Sequence, residues 1–146
     1  MIVAERTSRM TINKDCVILW DNGYERFEMT AVSPESQYRY IDGEPCITVG
    51  FRYENESFKG YDYFTFLGKP YTELIDKIKE VHRTLNGSFR LYDMGADTDA
   101  YVDFSCLEGR AEIVGRLGAT FSDFALAFSM TADQTLLTGL LDQLKL

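Results

Sequence analysis

The chain has 146 residues, 45% of them hydrophobic and 14% aromatic, with 23 acidic side chains against 15 basic ones. That composition excludes disorder, collagen-like repeats and low complexity, and the length fits a single domain, residues 1–146, with its own core. The formal charge of −8 is spread evenly along the chain, so nucleic acid and anionic membranes are poor partners, whereas a basic protein would be attracted.

The predicted elements begin with a short apolar run, Cys16–Trp20. In Tyr24–Val32, Phe27, Met29 and Ala31 alternate with Arg26, Glu28 and Thr30, and Ile47, Val49, Phe51 and Tyr53 then alternate with Thr48, Gly50 and Arg52. Both patterns have the period of a half-buried strand. Tyr61–Leu67 is aromatic on both faces, as in a strand covered on both sides. A turn is expected at Pro34, in Ser33-Pro34-Glu35-Ser36, and Pro45 follows Asp42-Gly43-Glu44 as a second punctuation mark. From Pro70 the period changes to 3.6, with Leu74, Ile78, Val81 and Leu85 in one stripe, predicting a helix over about 70–86 that Asn86-Gly87 stops in the left-handed region. Period two returns in Phe89–Met94, Tyr101–Leu107, Arg110–Leu117 and Phe124–Met130, joined by the hairpin-like segments Gly95–Ala100, Glu108-Gly109 and about Gly118–Asp123. Gly115 reads as a bulge or a close backbone approach. A leucine-rich helix over about 133–145, capped by Thr131 or Asp133, ends the chain. The expected fold class is α+β: about seven to nine mainly antiparallel strands, in a sandwich or a strongly bent sheet, with one central and one C-terminal helix.

The residue inventory offers little for catalysis. Cys16, Cys46 and Cys106 are an odd, widely spaced set in apolar surroundings, read as reduced, buried thiols of a cytoplasmic protein. The single histidine, His82, falls at the border of the helical stripe and is expected to be structural. Nucleophile-elbow, zinc-protease, P-loop and dinucleotide-binding motifs are absent, so no catalytic residue, metal or cofactor is expected and the chain reads as non-enzymatic. The longest uncharged stretch, Phe124–Ala132, is too short to span a bilayer, and the first residues lack the basic and apolar regions of a secretory signal. Two features suit recognition instead. Leu91–Gly109 holds Asp93, Asp97, Asp99, Asp103 and Glu108 without a base, and Asp97-Thr98-Asp99 departs from a calcium loop because Val102 stands where glycine is needed. Aromatic side chains crowd between Phe51 and Phe66, and tyrosine offers rigid area with a polar tip. Asp97, Asp99 and Asp103, with Tyr61 and Tyr63 as anchors, are therefore the expected contacts for a basic protein.

Near the end of the chain, RAEIVGRL, a turn, DFALAFSM and then Asp133-Gln134-Thr135 followed by Leu136 and Leu137 resemble the last part of WapI-type bacterial immunity proteins. The resemblance covers the C-terminal quarter only. It implies a small cytoplasmic protein that neutralises the toxic domain of a contact-delivered polymorphic toxin, and it carries no binding residue across. Two other readings fit the same residues. One is a small-molecule carrier or enzyme with its cavity lined by the Phe51–Phe66 aromatics. The other is an adaptor that homodimerises through the leucines of Leu136–Leu146, so monomer and homodimer both remain open.

Overall fold

The computed structural model describes residues 16–31, 40–41, 43–118 and 125–144. The expected turn at Pro34 and most of the connection after Gly118 lie outside them. Among the described residues the order is β1 (Cys16–Asp21), β2 (Glu25–Ala31), β3 (Tyr40–Ile41), β4 (Glu44–Asn55), β5 (Lys59–Leu67), α1 (Gly68–Thr84), β6 (Gly87–Tyr92), β7 (Tyr101–Leu107), β8 (Arg110–Leu117), β9 (Leu126–Asp133) and α2 (Thr135–Leu144). The fold is α+β, with every strand pairing antiparallel.

The strands form two sheets. In the first, β1, β2 and β4 are neighbours, with β5 on the far side of β4 and the two-residue β3 at its start; the second is a meander, β6-β7-β8-β9. Period two decides which side chains meet: Phe27, Met29, Val49, Phe51 and Phe64 from the first sheet share one core with Val102, Phe104, Ile113 and Phe128 from the second. The rings of Tyr53 and Phe128 stack at 4.3 Å across the two sheets, and Phe27 meets Phe104 edge-on at 6.3 Å. Each such side chain contributes roughly 1.5–3 kcal/mol by leaving water.

The strand β5 crosses the ends of the second sheet. A methyl at Gly60 would meet Leu126 at 2.7 Å, Asp62 accepts the Gly118 N–H at 3.1 Å, and the Thr65 carbonyl accepts the Met94 N–H at 2.8 Å. It therefore passes β9, β8 and β6 in turn, as in sheets packed at a steep angle.

Helix α1 buries Tyr71, Leu74, Ile75, Ile78 and Val81, one face of the expected stripe. It ends earlier than Asn86-Gly87 predicts, with Leu85 itself in the left-handed region at φ 61°. Tertiary hydrogen bonds hold it there: the Leu85 carbonyl accepts from the Gly109 N–H at 3.0 Å and from Cys106 Sγ at 3.4 Å. Glu108 and Gly109 both have positive φ, the turn that matches strand twist in a two-residue hairpin. At Gly115 the ladder is regular, so there is no bulge; the close approach is to the Phe128 ring, 2.5 Å from where a Cβ would lie. Asp133 caps α2, accepting the Thr135 N–H at 2.9 Å, and the hydrogen bond from the Thr135 hydroxyl, helped by this backbone one, lowers its pKa. Leu136, Leu137, Leu140 and Leu144 are fully buried in the chain's own core, which leaves little of that face for a dimer seam. Among the described residues no helix is long and apolar enough to cross a membrane.

Candidate functional site

The segment between β6 and β7 is held at its base. Asp93 Oδ1 accepts the N–H groups of Thr65 (3.2 Å) and Gly95 (2.9 Å), while the Met94 N–H donates to the Thr65 carbonyl. These bonds tie the start of the loop to the edge of β5, two residues from Tyr63. Further along, the Ala100 N–H donates to Thr98 Oγ1 at 3.3 Å, and Ala100 is buried. Asp97 and Asp99 lie between these anchors, exposed, and make no ion pair among the described residues.

Asp103 has a different setting. It faces outward on β7 and receives two hydrogen bonds from Arg90, Nε at 2.6 Å and a terminal nitrogen at 2.8 Å. The same guanidinium lies 4.3 Å above the Tyr101 ring, and the Asp103 pairing raises the Arg90 pKa. The Asp103 charge is thus largely matched within the chain. Asp99 lines an open depression with Arg90, Tyr92, Tyr101 and Arg116, and Asp97 lines a neighbouring one with Tyr92 and Thr98.

Tyr61 and Tyr63 occupy the outward positions of β5, in the first sheet. They do not line either depression around Asp97 and Asp99. Burial is the main cause of a raised Tyr61 pKa, with the neighbouring Tyr63 and Asp62 adding to it, so its hydroxyl stays protonated through the neutral range. The structure therefore places Asp97 and Asp99 together on the loop at one end of the second sheet, sets Asp103 apart in the middle of its outer face opposite Arg90 and Val114, and reaches Tyr63 only through the tie at Thr65.

Other residues singled out in the sequence have structural settings. His82 Nε2 lies 3.0 Å from Thr138 Oγ1 and links the two helices. Phe51, Phe64 and Phe66 are fully buried and pack on one another, Phe51 and Phe64 at 5.4 Å. Of the three free cysteines only Cys106 is buried; Cys16 and Cys46 are partly exposed, because both lie on outward positions of the first sheet rather than in the core. Among the described residues no cluster of three His, Cys, Asp or Glu side chains is arranged to hold a metal ion.

Two polar residues escaped the sequence reading. Asp62 is fully buried between the sheets, where it accepts the N–H groups of Gly118 and Tyr63. Glu28 is only 6% exposed on the outer face of the first sheet, where it accepts from Cys16 Sγ at 3.6 Å. The signal for Asp62 was present, because the alternation of Gly60, Phe64 and Phe66 assigns position 62 to the inner face. Compared with known proteins, the chain matches no family model, no curated protein and no solved structure.

Proposed function

We propose that this chain is a non-enzymatic binding protein of the cytoplasm, an immunity or inhibitor protein that neutralises a basic toxin domain by occlusion. The anchored acidic loop supports the reading: Asp97 and Asp99 stand exposed without ion pairs among the described residues, on a segment tied to β5 through Asp93 and Met94. A loop held in this way loses little freedom when it docks. Its two uncompensated carboxylates attract the Lys and Arg side chains that a nucleic-acid-directed toxin sets against phosphates. Tyr61 and Tyr63 supply anchoring area beyond the tie at Thr65, and Asp103 contributes through its pair with Arg90.

The test begins with capture by the tagged chain at about 50 mM salt, where exposed charges are weakly screened. The captured polypeptide is then expressed with and without this chain. The expected result is a basic, toxic domain that salt releases and that co-expression renders harmless. Asp97→Lys with Asp99→Lys is expected to slow association about tenfold or more while leaving the fold intact. A captured partner that is neither basic nor toxic overturns the inhibitor reading, and an unchanged association rate at low salt removes this loop from the interface.

A further inference from the structure

The register of the second sheet sets its outward side chains in rows. Tyr92, Tyr101 and Arg116 stand side by side in one row, and Ser88, Ser105 and Glu112 in another. Val114 lies in the row between them, 46% exposed, beside the mutually neutralising pair of Arg90 and Asp103. Successive rows are about 7 Å apart along the strands.

We propose that a second copy of this chain docks face to face on this surface, about a two-fold axis through Val114. An axis lying between the facing sheets and perpendicular to β8 reverses the strand direction while keeping each strand above its own copy. Tyr92 and Tyr101 of one copy then lie over Ser88 and Ser105 of the other, and Arg116 over Glu112. The symmetry repeats each of these contacts, so in the outer rows large side chains meet small ones and cation meets anion twice, while in the axis row Val114 meets its own copy and Arg90 and Asp103 face theirs as internally neutralised pairs. This is the self-complementarity that an isologous interface requires. Arg116 and Glu112 are both exposed and make no ion pair among the described residues, so each charge is free for the other copy. Four strands of this length cover roughly 500 Å², less than the about 800 Å² per partner of a standard interface. The dimer is therefore weak and concentration-dependent. The inference does not rest on the inhibitor reading, since it needs no toxin.

Sedimentation equilibrium of the full chain tests it. The mass is expected to rise from 16.7 kDa toward twice that value with concentration, and to rise less at high salt. Glu112→Arg and Arg116→Glu should each weaken association about tenfold or more, because each sets like charges together twice. The double variant, which exchanges the two charges, should restore it. Melting temperatures check that all three variants fold. A chain that is monomeric at every concentration overturns the proposal, as does a dimer that the single reversals leave unchanged. A folded double variant no more associated than the singles overturns it as well.

Discussion

The two sheets treat polar side chains differently. In β8, Arg110, Glu112, Val114 and Arg116 face water while Ala111, Ile113, Gly115 and Leu117 are buried, residue by residue. The first sheet has a fully buried carboxylate, Asp62, on its inner side and a nearly buried one, Glu28, on its outer side. Glu28 stands opposite Arg52, which itself pairs with Glu54 at 3.4 Å. An antiparallel meander with one wet face needs only alternation to define it. A sheet that encloses carboxylates must also supply them with donors: backbone N–H groups of Tyr63 and Gly118 at Asp62, and the Cys16 thiol at Glu28.

The largest effect is expected at Asp62. Asp62→Ala removes a fully buried side chain together with the hydrogen bonds it accepts from the Tyr63 and Gly118 N–H groups, and losing a buried hydrogen-bond partner costs about 1–3 kcal/mol. Glu112→Ala on the wet face should change the stability of the monomer by about 0.5 kcal/mol or less. Denaturant midpoints of dilute protein compare the two directly. Equal midpoints would show that the interior carboxylate is no more committed than the surface one.

Two glycines sharpen the same contrast at smaller scale. In Gly115→Ala the new methyl would lie 2.5 Å from the Phe128 ring and 3.2 Å from the Tyr101 carbonyl, on the buried side of the second sheet. Neither neighbour can leave without disturbing the core, so the expected loss is about 1–3 kcal/mol. In Gly50→Ala the methyl meets the Tyr61 hydroxyl at 2.5 Å and a Thr30 methyl at 2.9 Å on the outer face of the first sheet. The Tyr61 ring is partly exposed on the outer face rather than locked in the core, so the cost should be less than that of Gly115→Ala. The reverse order in thermal melts would mean that Tyr61 is held more firmly than the Phe128 ring.

Legibility in the sequence followed the same division. The strands β6 to β8, their hairpins and both helices could be read because one face of each is apolar and the other wet, so the period of the pattern gives the element. The end of α1 could not be read locally, because hydrogen bonds from Cys106 and Gly109, more than twenty residues downstream, fix Leu85 in its left-handed conformation. Asp97 and Asp99 could be chosen from charge density alone. The commitment of Asp103 to Arg90 depended on strand register, which pairs positions thirteen residues apart. Composition alone groups Tyr61 and Tyr63 with the acidic loop, yet the crossing of β5 over the second sheet sets its Thr65 end against that loop.

The smallest effect is a titration on the outer face of the first sheet. Partial burial raises the Cys16 pKa, and the charge and hydrogen bond of Glu28 raise it further, with Arg52 and Arg26 opposing. A raised value in the fold means that the neutral thiol is favoured there. Its contribution to stability is complete below the free-thiol pKa of about 8.5 and is lost as pH rises through the higher folded value. The pH midpoint for alkylation of Cys16, followed by mass spectrometry of its peptide, should therefore lie above that of a free cysteine. Glu28→Gln removes the negative charge while keeping the shape, so the midpoint should fall but stay above the free value, since burial acts first. A midpoint that Glu28→Gln leaves in place would mean that the carboxylate is not set against the thiol. The outer face of the first sheet would then hold its charges as loosely as the second sheet holds Glu112.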